Sequence, residues 1–313
     1  MRSRWTETDI PDQSGRTVLI TGANSGLGLR SAKVLAAKGA RVVLACRSRA
    51  RGEAVLRMVP GARLILLDLA DLAAVRQAAA QVRELTGDSL DILMNNAGVM
   101  ATPKAFTEDG FELQFATNHL GHAALTWLLM PALRGGRNAR VVTLSSLAAR
   151  GATRGRGFDL GDPNFRLGRY NPALAYSRSK LANQVFALEL DRRLRAAGED
   201  IVSAAAHPGY TTTGLTTAMA HSYANPVLRA GMLAGSRIGD LLAQNVDIGA
   251  LPQLYAATAP EVNGGDYVGP GGPGGLRGHP TFTAPLTPAL DQRTGAELWE
   301  LTEKLTGVTP DPT

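Results

Sequence analysis

Short runs of continuously apolar, β-prone residues recur along this chain, each followed by a stretch of helical length. Thr17-Val18-Leu19-Ile20, Arg41-Val42-Val43-Leu44-Ala45 and Leu64-Ile65-Leu66-Leu67-Asp68 come first, then Leu90-Asp91-Ile92-Leu93-Met94-Asn95 and Ala139-Arg140-Val141-Val142-Thr143-Leu144. A strand with one wet face alternates polar and apolar residues; these do not, so helices must cover both faces of a parallel sheet. The expected fold is a doubly wound α/β domain of Rossmann type. Apolar spacing predicts helices over 26–38, 71–86, 109–133 and 176–194, and a final amphipathic one over 288–305. Residues 201–206 read as a further strand and 264–268 as a short last one. The segment 211–242 mixes Met219, Leu228, Met232 and Leu233 with glycine and polar residues, which suits a lid over a substrate better than a sheet element. Residues 269–313 read as a C-terminal loop and helix extension.

At 313 residues and 44% hydrophobic, the chain can bury one large core, and no Pro/Gly/Ser-rich linker divides it, so a single domain over 1–313 is expected. The 33 basic and 27 acidic residues leave +6 spread without a block. Aromatic residues are not interleaved with the positive ones, which argues against nucleic acid as a partner. A single cysteine, Cys46, excludes an internal disulfide and suits a reducing compartment. The polar start, with Arg2, Arg4, Glu7 and Asp9, lacks the core of a signal peptide, and no apolar run is long enough to span a bilayer. A cytoplasmic protein with no membrane span is the expectation.

The loop Thr21-Gly22-Ala23-Asn24-Ser25-Gly26-Leu27-Gly28 follows the first strand and opens the first helix. In that setting missing side chains let backbone approach a pyrophosphate, while amides at the helix start face its oxygens. Gly22, Asn24, Ser25, Gly26, Leu27 and Gly28 are the candidate contacts. Cofactor choice turns on the end of the second strand. An acidic residue there would accept bonds from the adenosine ribose, but Cys46-Arg47 stands in its place. Arg47 can fork onto a 2′-phosphate, which favours NADP(H), or be one of many surface arginines. Asp68 can receive the adenine amino group beside a wall formed by Leu69, or cap a helix.

Tyr176 and Lys180 lie one above the other on a helix, about 6 Å apart along its axis. A tyrosine titrates near 10, so working near neutrality requires a shift of about 3 units, roughly 4 kcal/mol, which a neighbouring ammonium can help supply. Tyr176 is then general acid in carbonyl reduction and general base in alcohol oxidation. Ser146, after the fifth strand, can bond the carbonyl oxygen, and Lys180 can hold the cofactor ribose and connect through water to Asn118. His119 and His122 lack a third ligand at metal spacing and read as structural histidines, so no metal is expected.

Together with Asn95-Asn96-Ala97-Gly98 and Pro208-Gly209, these residues closely resemble the short-chain dehydrogenase/reductase superfamily over nearly the full chain. Asn118-His119-Leu120-Gly121-His122, Ala45-Cys46-Arg47 and His207-Pro208-Gly209-Tyr210 resemble its retinol-dehydrogenase and protochlorophyllide-reductase-like branch. The resemblance implies a seven-stranded, mainly parallel sheet and a Ser146/Tyr176/Lys180 group supported by Asn118. It implies further that Asn95, Ala97 and Gly98 lie near the cofactor, with Pro208, Gly209, Thr211 and Thr213 beside its nicotinamide end. It also implies NADP(H), and a homodimer or homotetramer assembled through the helices at 109–133 and 176–194, with a monomer whose C-terminal tail covers the same surface as the alternative. Phe106, Phe158, Phe165, Leu215, Met219 and Met232 are expected to offer apolar contacts to an alcohol, ketone or aldehyde. The rival readings are reduction of an activated carbon-carbon double bond, and a noncatalytic NADP(H)-responsive interaction protein.

Overall fold

A computed structural model describes residues 4–153, 158–212, 214–240 and 243–312. Eight strands form one sheet in the order β3-β2-β1-β4-β5-β6-β7-β8. They are β1 (Thr17–Thr21), β2 (Arg41–Cys46), β3 (Arg63–Leu66), β4 (Ile92–Asn95), β5 (Arg140–Leu144), β6 (Val202–Ala206), β7 (Tyr267–Pro270) and β8 (Pro280–Phe282). The first seven are parallel; β8 runs antiparallel to β7, pairing Val268 with Phe282 and Pro270 with Pro280. This eighth strand corrects the expected seven. Three residues, two of them exposed, carry no apolar pattern by which a sequence could reveal them.

The helices are α1 (Gly26–Ala37), α2 (Arg49–Leu56), α3 (Leu72–Thr86), α4 (Leu113–Phe115), α5 (Gly121–Arg134), α6 (Pro172–Ala196), α7 (Gly214–His221), α8 (Pro226–Asp240), α9 (Val246–Thr258), α10 (Thr287–Leu290) and α11 (Gln292–Thr306). The continuous apolar strands are explained by what covers them. Val18 and Ile20 of β1 pack with Val34 and Leu35 of α1 and Leu254 of α9, while Leu19 packs on the opposite layer with α3, α5 and α6. Successive side chains of a strand point to opposite faces, so a strand covered on both sides has no polar position to spare.

Two expected helices are each two pieces. The one placed over 109–133 starts only at Leu113, because Gly110 at φ 80° and a bridge between Phe106 and Glu112 hold residues 106–112 in a turn. Glu112 then caps α4 by accepting from the amides of Gln114 and Phe115 at 3.0 and 2.8 Å. Between α4 and α5 the backbone widens to a π-helical turn over Ala116–Leu120, closed by the Gly121 amide on the Ala116 carbonyl. The one placed over 288–305 breaks at Asp291, whose carboxylate caps α11.

The chain's own α11 lies over the seam of α5 and α6. Trp299 stacks on Phe186 with ring centroids 5.6 Å apart, meets Trp127 edge-on at 4.9 Å, and carries the Arg193 guanidinium 4.6 Å from its ring. Among the described residues no helix is long and apolar enough to cross a membrane.

Candidate active site

Strand order reverses at β1, since the chain runs outward to β3 and returns to β4 on the other side of β1. A crevice opens beyond the carboxyl ends of the strands at such a reversal. The candidate residues after β1 (Gly22 to Gly28), β2 (Arg47), β3 (Asp68 and Leu69), β4 (Asn95 to Gly98), β5 (Ser146) and β6 (Pro208 and Gly209) all fall on that one edge.

The glycine loop is open where a phosphate would need it. Gly22 sits at φ 66°, and a Cβ at Gly28 would stand 2.5 Å from Asn96 Nδ2 and 2.6 Å from the Gly22 carbonyl oxygen. Ser25 stands at the head of α1 but its side chain makes no capping bond, so an external acceptor can take the amides of the first turn, where Gly26 and Leu27 lie. Asn24 and Ala23 are fixed from below, their amides directed to the Cys46 sulfur. Burial pushes that thiol up to about 11, so Cys46 is a packing residue and not a nucleophile. These features fit a dinucleotide cofactor.

Arg47 is exposed and has no hydrogen bond or ion pair among the described residues, whereas Arg49 faces Glu53 at 3.6 Å. Asp68 accepts from the Ala70 amide at 3.0 Å and its second oxygen has no partner among the described residues, and Leu69 beside it is buried.

Asn95 is fully buried and bonds Thr126 at 2.9 Å, which ties β4 to α5 and turns its carboxamide away from the crevice. Its neighbour Asn96, which was not among the candidates, does the work on the loop: Nδ2 donates to the Thr21 carbonyl at 2.7 Å. The amides of Asn96 and Ala97 both donate to Thr21 Oγ1 at 2.9 Å. An asparagine doublet ending an apolar strand was the available signal, since a strand end has one side chain facing in and the next facing out.

Gly98 brings the turn against the reacting group, where a Cβ would lie 3.0 Å from Asn118 Oδ1 and 3.4 Å from Lys180 Nζ. Asn118 occupies the π-helical turn, buried. Its Oδ1 accepts from the Val99 amide at 2.8 Å, and its Nδ2 donates to the Val99 carbonyl and to Ser179 Oγ, both at 2.9 Å. The side chain thereby fastens the β4 turn to α6.

Asn171 caps α6 by accepting from the Leu174 amide at 3.0 Å, which starts the helix a turn before Tyr176. The Ser146 side chain lies beside the Tyr176 hydroxyl and favours its ionised form. Lys180 is buried and donates to the Leu144 carbonyl at 3.0 Å; burial pulls it down to about 8. Tyr176 is not lowered as the helical spacing suggests: burial raises it, and only Ser146 acts the other way. The ammonium points at the end of β5, and the resting tyrosine is a protonated phenol.

After β6, Thr211 Oγ1 and Gln244 Nε2 each donate to the Pro208 carbonyl at 2.7 Å. Gly209 follows Pro208 at φ 69°, closely packed on Leu276. Thr213 and the side chain of Leu215 lie outside the described residues. Of the expected apolar contacts, Met219 on α7 and Met232 on α8 are half-buried. Phe158 and Phe165 belong elsewhere: Phe158 packs on the main core, and Phe165 lies edge-on to Tyr170 under the Arg178 guanidinium. Phe106 is 46% exposed between Lys104 and Arg166.

A family model described as short chain dehydrogenase matches residues 16–156. The chain is 36% identical over 305 residues to retinol dehydrogenase 13 of Homo sapiens, covering 94% of this chain and 85% of that protein. It is 39% identical over 310 residues to polyprenol dehydrogenase of Mus musculus, covering 95% and 86%. A crystal structure of an uncharacterized protein from Mycobacterium paratuberculosis matches at a TM-score of 0.78 and 42% identity over 98% of each chain. The chain belongs to the short-chain dehydrogenases, oxidoreductases that use a nicotinamide cofactor, and its relatives include the retinol dehydrogenases.

Proposed function

We propose that this protein interconverts an alcohol and a ketone or aldehyde on an apolar substrate, using NADP(H). The observation that carries the reading is Ser146 beside Tyr176, with Lys180 buried one turn further along α6, on the same sheet edge as the glycine loop. The bound nicotinamide would supply or accept the hydride. Residues 22–28 with the first turn of α1 would hold the pyrophosphate. Arg47, free of partners, would hold the 2′-phosphate, Asp68 the adenine and Lys180 the ribose, while Ala97, Gly98, Pro208, Gly209, Thr211 and Thr213 would line the path to the nicotinamide.

Tyr176, kept protonated by burial, donates its proton to the substrate oxygen in reduction; in oxidation it first releases that proton toward solvent, and the resulting phenolate takes the proton of the alcohol. Ser146, beside that phenol, donates to the same oxygen as charge develops on it. Lys180 is still mostly charged near neutrality, because burial leaves it at about 8, and its ammonium favours the phenolate once the proton has left. Asn118 holds the β4 turn in place beside Lys180. The half-buried methionines of α7 and α8, and a Tyr223 hydroxyl that donates to the Ala101 carbonyl at 2.9 Å, support a lid over an apolar substrate. The names of the relatives, a retinol and a polyprenol dehydrogenase, support an isoprenoid alcohol or aldehyde. An assembly through α5 and α6 would have to include or displace α11.

The test is Tyr176→Phe assayed with NADPH against a panel of retinal, long-chain aldehydes and ketones. Turnover should fall by at least about 100-fold while NADPH affinity is kept. A variant that still reduces its substrate at the wild-type rate would remove Tyr176 from the reaction.

A further inference from the structure

His122 lies outside the reacting group, yet its buried ring joins two of the segments that build it. Nδ1 stands 2.9 Å from the carbonyl oxygen of Asn118, and Nε2 stands 2.9 Å from Thr21 Oγ1. A carbonyl can only accept, so Nδ1 carries the hydrogen, and Nε2 of a neutral ring is then an acceptor. The Thr21 hydroxyl has one hydrogen to give. Its oxygen already accepts from the amides of Asn96 and Ala97, and His122 Nε2 is a nearer acceptor than the Met94 carbonyl at 3.3 Å. The ring stays neutral because it is buried and faces the Lys180 ammonium; burial, the larger cause, and that charge bring it down to about 3 against the bond to Asn118. The end of β1, the β4 turn and the π-helical turn thus meet through one tautomer of one ring.

We propose that His122 is a positioning residue that holds the π-helical turn carrying Asn118 in register with the glycine loop. A π turn holds one residue more than an α turn and persists only where its surroundings demand it. Two demands are visible. A Cβ at Gly121 would overlap the Leu69 carbonyl, so the start of α5 is pressed against the end of β3. The second is the Thr21 to His122 to Asn118 chain itself. Loss of that chain lets the turn relax toward α geometry and carries Asn118 off Val99 and Ser179. The inference rests on the reading of Asn118 as support for the reacting group.

Three variants separate this role from space filling. His122→Phe keeps the ring volume and loses both bonds, His122→Asn keeps a donor in place of Nδ1 without the reach to Thr21, and Thr21→Val removes the hydroxyl. All three should lower kcat by about 10- to 100-fold on whichever panel substrate the wild type reduces. NADPH affinity should stay within about threefold in the two His122 variants, while Thr21→Val should cost more than either, because it also strips the Asn96 and Ala97 amides of their acceptor. Independently of any substrate, hydrogen exchange of the amides of 116–121 should quicken in His122→Phe, and bound NADPH should protect them in the wild type only. Nitrogen NMR of the wild-type ring should show the Nδ1–H tautomer. A wild type inactive on every panel member would count against the proposed reaction, while the exchange and tautomer results would still decide the role of His122. Unchanged exchange in His122→Phe, or the Nε2–H tautomer, would each overturn it.

Discussion

Lys180→Met should remove turnover and yet leave the folded protein more stable. Burial lowers Lys180 from 10.5 to about 8, which means that carrying its charge inside costs about 3 kcal/mol relative to the unfolded chain near neutrality. The lysine returns part of this through one hydrogen bond to the Leu144 carbonyl, worth about 1 kcal/mol. Losing that bond does not orphan the acceptor, because Asn183 Nδ2 also donates to it at 2.9 Å. Methionine fills a similar volume without charge, so the variant should gain about 2 kcal/mol near pH 7.

The sign of the pH dependence follows from the same lowering. Below about 8 both folded and unfolded chains hold the proton, and the full cost is present. As pH rises from there toward 10.5, the folded lysine gives up its proton while the unfolded one keeps it. The unfolded state then binds more protons, and wild-type stability rises. By about pH 9.5 roughly 2 kcal/mol should have been recovered, closing most of the gap to the variant. Tyr176 works in the opposite sense above 10, where the folded phenol keeps a proton that the unfolded one loses, so measurements belong below that value. Urea unfolding of the cofactor-free proteins, near pH 7 and again near pH 9.5, reads the effect. A Lys180→Met protein less stable than wild type near neutrality, or a gap that does not change with pH, would refute the claim that burial acts on a charged Lys180.

Arg47→Ala should weaken NADPH binding by about 10-fold or more and leave NADH binding nearly unchanged, read by cofactor fluorescence; equal losses would argue against phosphate recognition. Gly28→Ala should lose about 1–3 kcal/mol and bind cofactor poorly, since its Cβ meets backbone and not only the Asn96 side chain; an unaltered titration with NADPH would show that the loop can shift. Trp299→Ala should cost about 3–5 kcal/mol in thermal unfolding and bare the seam of α5 and α6, with self-association by light scattering as the second readout.

The sheet was legible because burial on both faces erases polar alternation, and that erasure is visible in β1, β2 and β4 as unbroken apolar runs. The proposed reacting group could be picked out through the spacing of Tyr176 and Lys180, which puts both residues on α6. What the spacing could not show is what each atom bonds. The Lys180 ammonium is drawn to the Leu144 carbonyl, and burial outweighs any help that the phenol receives. The π-helical turn was equally hidden, since residues 113–133 satisfy an α-helical apolar pattern throughout. The extra residue is imposed by Leu69 and Thr21, which lie far away in sequence. Helix α9 escaped notice for the opposite reason: Gly249 through Thr258 are all buried, so the helix has no polar face and shows no stripe.

The substrate side resisted reading because it is attached to the sheet and not made by it. Gln244 accepts from the Gly278 amide at 3.0 Å through Oε1, donates to Pro208 at 2.7 Å, and pairs its backbone with Tyr210 and Thr212 at 2.9 and 3.0 Å. The chain that forms α7 and α8 therefore leaves and re-enters through one pinned neck, immediately beside the end of β6. Among the described residues beyond the neck, Tyr223 reaches the strand ends through its bond to the Ala101 carbonyl. Composition beyond the neck can vary without moving Ser146, Tyr176 or Lys180, whose positions are set by β5 and α6. On the proposed function, the reaction would sit in the part of the sequence held by β5 and α6, and selectivity in the part beyond the neck.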